Sequence, residues 1–215
     1  VMVKGSQCRL CVGTSHGAGQ DALGRELHRC PQCDYVYVSK SSFLKSEEEK
    51  KRYSFHENCI DDEGYLTFLR RLLLPLETFL KRGDAVLDYG SGPEPVFAEL
   101  LRQKGFDVQT YDPFFSPLFS DEETYDAVTS IEVFEHFHNP AKELKTIFSL
   151  IEQGGYLGIM TERHKSTTDF KTWYYTKDPT HVGYFSDKTF RWMESKHSLR
   201  QVYNDKERVL IWQLR

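Results

Sequence analysis

Four of the five cysteines, Cys8, Cys11, Cys30 and Cys33, lie within the first 33 residues, and only Cys59 lies elsewhere. Their spacing is C-x2-C, eighteen residues, then C-x2-C. Each pair wraps a tight turn that aims two sulfurs at one point, and four thiolates complete the tetrahedron of a closed structural Zn2+ site, with Zn–S bonds of about 2.3 Å and no vacant position for water. Two disulfides would use the same residues. No export signal is visible, however, so the cytoplasm is the expected compartment, and reducing conditions there favour thiolates. His16 and His28 lie between the pairs and are expected to be spectators, because four cysteines already fill the site. This segment of about 40 residues has few large apolar side chains, so metal binding is expected to supply its folding free energy.

A second constellation begins at the glycine-rich turn Asp88-Tyr89-Gly90-Ser91-Gly92-Pro93. Missing side chains let a ligand approach the backbone, and the N-terminus of the helix expected next favours negative charge. About 20 residues on, Tyr111-Asp112 places a carboxylate where it can accept hydrogen bonds from both hydroxyls of a ribose. The turn lacks G-x-G-x-x-G, and the acid before it suits a cationic amino group better than a pyrophosphate. Further along, Glu132-Val133-Phe134-Glu135-His136 gathers two carboxylates and an imidazole. Such a set binds a divalent cation or supplies a general base. A metal there would lower the pKa of a substrate hydroxyl and orient it.

These segments resemble the class I S-adenosylmethionine-dependent methyltransferases, over roughly residues 53–215. Val86-Leu87-Asp88-Tyr89-Gly90-Ser91-Gly92 is similar to the family's first motif, and Tyr111-Asp112 to its acidic ribose clamp. Residues 125–136 are similar to the fourth-strand motif, and residues 150–161, with Gly154-Gly155, to the glycine turn before the next strand. Order and spacing match as well as residue types. The departure is Glu94, where many members carry a third glycine, and it sets the backbone further from the methionine carboxylate. The resemblance implies S-adenosyl-L-methionine as cofactor: Asp88, Gly90, Ser91 and Gly92 around its methionyl part, Asp112 on the ribose, Phe114 beside the adenine, Glu132 beside the sulfonium and Tyr53 over the methionine end. Core packing is the competing reading for Tyr53 and Phe114.

Glu132-x-x-Glu135-His136 is also similar to the Glu-x-x-Glu-His of ubiquinone-pathway O-methyltransferases and small-RNA 2′-O-methyltransferases, where it is linked to metal. That likeness implies a second divalent cation at Glu132, Glu135 and His136, with His181 as a fourth ligand. The same string is widespread in methyltransferases with no known metal, where the first Glu lines the cofactor pocket. His136 or His181 as general base, with Glu135 beside them, completes the candidate catalytic set.

The elements that must position these residues are legible as an alternation. Leu66, Leu69, Leu73, Leu76 and Leu80, at spacings of three and four, predict a helix over residues 64–80, with Pro75 as a bend. Strands are expected over residues 85–89, 107–111, 125–130 and 156–161, and helices over 95–104, 140–151 and 188–194. Residues 199–203 and 208–214 suit a closing antiparallel pair. The fold class is therefore α/β, a Rossmann-like, doubly wound, mostly parallel sheet with a C-terminal antiparallel strand, plus a small N-terminal zinc-binding module. The expected division is residues 1–40 for the module and 41–215 for the cofactor-binding domain. The charged run Glu47–Arg52 reads as a solvated helical connector.

A length of 215 residues with 14% aromatic content excludes a disordered chain, and no apolar run approaches the roughly 20 residues of a membrane span. Net charge is −4, which gives no global reason to expect a polyanionic partner, and no DNA or membrane partner is expected. The first 40 residues are mildly basic, through Lys4, Arg9, Arg25, Arg29 and Lys40 against three acids, which is weak support for RNA contact. Residues 173–186 mix aromatic and polar groups where the family places substrate-facing loops, so they suit a small acceptor, an unpaired base or a lid over the cofactor. His56 and Asn58 are placed with that lid, and Cys59 reads as a small buried hydrophobe. The balance favours a methyltransferase acting on a small molecule at oxygen or carbon. The alternatives are an RNA methyltransferase that contacts substrate through the cysteine module, as in some ribosomal-RNA enzymes that join such a module to this domain, or a non-catalytic cofactor-binding interaction module.

Overall fold

The computed structural model of the protein describes residues 6–55, 60–118 and 123–215; His56, Asn58 and Cys59 lie outside them. In chain order the elements are β1 (Ser6–Gln7), β2 (Thr14–Gln20), β3 (Glu26–Arg29), β4 (Val36–Val38), α1 (Ser46–Tyr53), α2 (Glu63–Leu76), β5 (Ala85–Tyr89) and α3 (Val96–Gln103). They continue with β6 (Asp107–Tyr111), β7 (Tyr125–Ile131), α4 (Pro140–Ser149), β8 (Ile151–Met160), β9 (Gly183–Tyr184), α5 (Asp187–His197), β10 (Leu199–Asn204) and β11 (Val209–Leu214). No helix among the described residues is long and apolar enough to cross a membrane.

The larger sheet has six strands in the order β10-β11-β8-β7-β5-β6. β5, β6, β7 and β8 run parallel, while β11 and β10 close the edge antiparallel. Side chains alternate across it, and both sets are buried. Leu87, Leu210 and Trp212 face a core built with Leu144 and Ile147 of α4 and Phe190 and Met193 of α5. Val86, Val209 and Ile211 face the other core, under α2 and α3. A parallel sheet covered on both faces needs such continuous apolar strands, and the fold is the Rossmann-like α/β class.

The leucine stripe of α2 packs as its spacing requires, with Leu66, Leu69, Leu72, Leu73 and Leu76 buried, and Asp62 accepts the Gly64 and Tyr65 N–H groups at its start. The helix stops at Leu76, four residues short of Leu80. Pro75 cannot donate to the preceding turn, and the Thr78 hydroxyl occupies the Pro75 carbonyl at 2.7 Å, ending the last turn. Strand β8 begins at Ile151, five residues before the expected position.

The first 40 residues contain strands that their composition does not announce. β1-β2-β3-β4-β9 form a second sheet, and its fifth strand comes from far along the chain: Val36 pairs with Tyr184 and Tyr37 with Gly183. The division expected at residue 40 is therefore crossed by a ladder that ties the cysteine-bearing segment to residues 183–184. The junction is tight. A Cβ on Gly183 would lie 1.8 Å from the Tyr35 hydroxyl oxygen, and that buried hydroxyl has no hydrogen-bond partner among the described residues.

Gly183→Ala is expected to lower stability by about 2 kcal/mol or more through overpacking, a fall in Tm of roughly 4–8 °C for a chain of this size. Adding Tyr35→Phe should recover part of that loss. Thermal denaturation followed by circular dichroism checks both, and an unchanged Tm for the single variant contradicts the junction described.

Candidate active site

β5 is the point where the strand order reverses, since the chain moves to β6 on one side and β7 on the other. Crevices open beyond the carboxyl ends of strands at such points. Here the crevice is a cleft of about 670 Å³, walled by the turn after β5, by Asp112 and Phe114 after β6, and by Glu132 and Val133 after β7. α1 and α2 form the opposite wall through Glu49, Tyr53, Tyr65 and Phe68. The charged run expected as a solvated connector thus places one face of α1 on the cleft.

The turn is held by hydrogen bonds from the Gly90 and Ser91 N–H groups to the Tyr111 carbonyl, at 2.7 and 3.0 Å. Gly90 has φ +86°, and a Cβ there would lie 2.4 Å from Val133 Cγ2, so both conformation and space demand glycine. The Asp112 carboxylate accepts from the Gly92 N–H at 3.1 Å and from the Phe114 and Phe115 N–H groups at 2.8 and 3.2 Å. The backbone therefore fixes its orientation and leaves lone pairs for further donors. Asp88 is buried on the cleft wall and accepts from the Thr129 hydroxyl at 3.1 Å. Burial pushes its carboxyl up to about 7, helped by the charge of Asp112 and opposed by Thr129 and Arg102. A desolvated carboxylate with no hydrogen-bonded cation among the described residues fits a ligand that brings an ammonium group.

Glu132 adopts φ +51°, which turns the chain at the end of β7, and its N–H donates to Met160 O at 2.7 Å. Arg208 donates to its carboxylate at 2.9 Å and the Tyr175 hydroxyl approaches at 3.2 Å. Burial and the charge of Glu135 push the Glu132 carboxyl up to about 8, against the pull of Arg208. Tyr53 stands over Phe114, ring centres 5.7 Å apart, and its hydroxyl lies 3.2 Å from His136 Nδ1. Every residue expected around the cofactor, from Tyr53 and Asp88 to Asp112, Phe114 and Glu132, lines the same cleft.

The expected cation trio is arranged differently. Glu132 is engaged by Arg208, and His181 joins Glu135 and His136 instead: one ligand atom of each lies within 4.8 Å of the others. His136 Nδ1 faces the Thr180 carbonyl at 3.1 Å, and His181 Nδ1 faces the Tyr175 carbonyl at 2.7 Å. A carbonyl only accepts, so each Nδ1 is placed to donate to one, and the Tyr53 hydroxyl shares the Nδ1 of His136. Glu135 is fully buried, receives the hydroxyls of Thr161 and Tyr175, and lies 4.0 Å from His181 Nε2. Burial holds the His136 imidazole down to about 4 despite the nearby Glu135 charge, so it is neutral at pH 7.

The cysteine turns are two copies of one arrangement. Val12 N–H bonds Cys8 O and Asp34 N–H bonds Cys30 O, while the Cys8 and Cys30 N–H groups bond Gly13 O and Tyr35 O. Val12 and Asp34 both take positive φ. Cys8 and Cys33 sulfurs are 3.7 Å apart and those of Cys11 and Cys30 are 3.4 Å apart, with all four within 4.8 Å and none in a disulfide. A tetrahedron with ~2.3 Å Zn–S bonds has edges of ~3.8 Å. His28 is turned to Ser6 and Ser39 and His16 lies outside the cluster.

A methyltransferase-domain family model matches residues 62–201, more than half of the chain. The chain belongs to this family and is an S-adenosylmethionine-dependent methyltransferase. Among solved structures, an O-methyltransferase family protein from Burkholderia thailandensis superposes with TM-score 0.52 at 14% identity, over 78% of this chain and 62% of that one. A protein from Pyrococcus horikoshii OT3 gives TM-score 0.52 at 14% identity, over 77% and 99%. A phosphoethanolamine N-methyltransferase from Haemonchus contortus, bound to phosphomonomethylethanolamine and S-adenosylhomocysteine, gives 0.50 at 15%, over 62% and 38%. These likenesses show the shared fold. No curated protein sequence matches this one.

Several wall residues escape sequence reasoning. Glu49, Tyr65, Phe68 and His138 carry no motif, and neither does Arg208, which reaches Glu132 from the turn just before β11. Tyr175 belongs to an aromatic-rich stretch, the one signal that pointed toward it.

Cofactor affinity is expected to follow Asp88. An ammonium-bearing ligand selects the ionised carboxylate, so affinity for S-adenosylhomocysteine should rise about tenfold from pH 6 to pH 8 as the group ionises near 7. Binding at pH 7 should release protons. Asp88→Asn should weaken binding and flatten the profile. Calorimetry in two buffers of different ionisation enthalpy measures this; Arg102, Asp112 and Tyr65 are the other titratable groups facing Asp88. A profile unchanged by the substitution removes Asp88 from the site.

Proposed function

We propose that the protein transfers the methyl group of S-adenosylmethionine to oxygen or carbon of a small-molecule acceptor, held at the end of the cleft bounded by Tyr53, His136 and His181. The observation that carries this reading is the pair of imidazoles whose Nδ1 atoms face main-chain carbonyls and which cluster with the buried Glu135. S-adenosylmethionine supplies an electrophilic methyl group on a sulfonium that leaves as a neutral thioether. Asp88 would bind its ammonium, Gly90, Ser91 and Gly92 would give its methionyl part room, Asp112 would accept from the ribose, and Tyr53 and Phe114 would cover it. Glu132, held by Arg208, would border the sulfonium. Alignment of acceptor, methyl carbon and sulfur then accounts for much of the rate.

A group held near 4 is a weak base for a hydroxyl. A neutral imidazole whose other nitrogen is bonded to a carbonyl is what a divalent cation takes as ligand. Glu135, His136 and His181 therefore fit a cation, and two nitrogens with one carboxylate favour a transition-metal ion over Mg2+ or Ca2+. Such an ion lowers the pKa of an acceptor hydroxyl when bound. His181 is the alternative general base. The four cysteines fit a structural zinc, consistent with a cytoplasmic, reducing setting. We retain residues 1–40 as the zinc module and 41–215 as the cofactor-binding domain.

Charge supports a small acceptor over RNA. The described residues lining the cleft include Glu49, Glu143 and Asp178 and no Lys or Arg. Arg9, Arg25 and Arg29, on which an RNA face would rest, are spent on main-chain carbonyls, Asp21 and Asp34. The same distribution is unfavourable for DNA. Family membership disfavours a non-catalytic module.

Two results are expected. With a panel of phenolic and polyhydroxylated acceptors, His181→Asn and Glu135→Gln should each cut S-adenosylhomocysteine formation by about a hundredfold or more, while affinity for S-adenosylhomocysteine changes by less than about twofold. Equal losses in affinity and rate would move these residues out of the reacting end. Elemental analysis should find zinc retained in both variants and lost in Cys30→Ser, and a second divalent ion lost in His181→Asn and Glu135→Gln alone. Zinc retained in Cys30→Ser overturns the four-cysteine site, and a second ion retained in both other variants overturns the cation reading.

A further inference from the structure

We propose that Arg9 and Arg25 of the cysteine-bearing sheet act together as a clamp that fixes the main chain of residues 176–182 and, through it, the position of His181. The part played by His181 rests on the function proposed above; the clamp itself rests on geometry. Residues 178–182 belong to no helix or strand, and Thr176 lies in a single 3-10 turn ending at Lys177. Polar groups on the buried parts of such chain, at Thr176, Thr180 and Val182, must be satisfied by other means. Arg25 donates to the Pro179 carbonyl at 2.8 Å and reaches the Thr176 and Asp178 carbonyls at 3.4 and 3.5 Å and the Tyr184 hydroxyl at 3.1 Å. Arg9 donates to the Val182 carbonyl at 2.7 Å and to His138 O at 3.2 Å. The two guanidiniums thus hold both ends of the stretch that carries His181.

Each guanidinium is itself anchored in the N-terminal module. Asp21 holds Arg25 Nε at 2.7 Å, with both side chains almost wholly buried. Arg9 lies between Cys8 and Cys11, so the cysteine turn sets its origin, and its head lies 4.7 Å from the Tyr37 ring centre and 4.8 Å from that of Phe43. It makes no ion pair among the described residues, so its charge is directed at carbonyls and rings. Only arginine offers five donors in one rigid fork. On the far side of the stretch, Val182 N–H donates to Glu135 O at 2.8 Å and His136 occupies the Thr180 carbonyl. A shift of the stretch therefore moves His181 relative to both Glu135 and His136.

Hydrogen exchange read by mass spectrometry on peptides covering residues 176–182 tests the clamp, using the full chain with its metals. In the double variant Arg9→Gln/Arg25→Gln, exchange there should rise about tenfold or more while β5 to β8 keep their protection. Zinc content should be unchanged, affinity for S-adenosylhomocysteine should stay within about twofold, and turnover should fall about tenfold or more. Arg9→Lys and Arg25→Lys keep the charge and lose the fork; each should show an intermediate rise, which keeps the test decisive if the double variant folds poorly. Unchanged exchange at 176–182, or a rise no larger than that of β5 to β8, overturns the clamp. A local rise with turnover unchanged leaves the clamp standing and overturns the placement of His181 at the reacting end.

Discussion

A parallel sheet wound outward in both directions from an interior strand cannot close the crevice where its windings part, and the organisation of this protein follows from that constraint. β5 has β6 on one side and β7 on the other, and the connections beyond their carboxyl ends diverge. What remains is a cleft whose floor is backbone. Gly90 is forced there twice over, by a positive φ and by Val133 within 2.4 Å of any Cβ. The same crowding brings the turn after β7 against the turn after β5, so one contact sets both of these walls of the cleft.

The electrostatics of the cleft follow from burial more than from net charge. Asp88 and Glu132 are both held above the ordinary carboxylate range by desolvation, the first with a hydroxyl as partner and the second with Arg208. Two poorly solvated acids beside one crevice suit a ligand that is a cation at its sulfur and at its amino group. Glu135 is placed otherwise. It receives two hydroxyl donors in a fully buried position beside the two imidazoles. Three residues of separation, with a positive φ at Glu132 and a 3-10 turn over residues 134–136, send two glutamates of one motif to different surroundings.

How much of this was legible in the sequence depends on the range of the interaction that decides it. β5, the leucine stripe of α2 and the paired cysteine turns are set by neighbours within a few residues, and their types and spacing announced them. The small sheet was not announced. β2 reads Thr-Ser-His-Gly-Ala-Gly-Gln, mostly exposed, and becomes a strand only because β1 and β3 flank it; β9 is two residues long and exists through its pairing with β4. The charges of α1 correctly imply a helix, but they do not say that Glu49 meets His138 at 2.8 Å or that Arg52 meets Asp178 at 2.9 Å. In the candidate site, the residues expected around the cofactor share one cleft with His136 and His181, while Glu135 is fully buried and off its lining; the choice of His181 over Glu132 as the companion of Glu135 and His136 depends on carbonyls contributed by residues 175 and 180. No local pattern encodes that.

The N-terminal segment is therefore better understood as part of the site's support than as an appendage. A small cysteine-bearing sheet has little apolar surface of its own, and here it shares a ladder with β9 and a core in which Leu27, Val36 and Val38 meet Tyr175, Val182 and Tyr184. Its arginines supply hydrogen bonds that the irregular chain around His181 cannot make for itself. Its mild positive charge, which suggests a polyanion when read as composition, is largely consumed in that work: Arg9, Arg25 and Arg29 each find their partners inside the protein. A positive residue count says where cations are in the sequence. Which way they face is decided by the unsatisfied carbonyls and carboxylates of the fold that receives them.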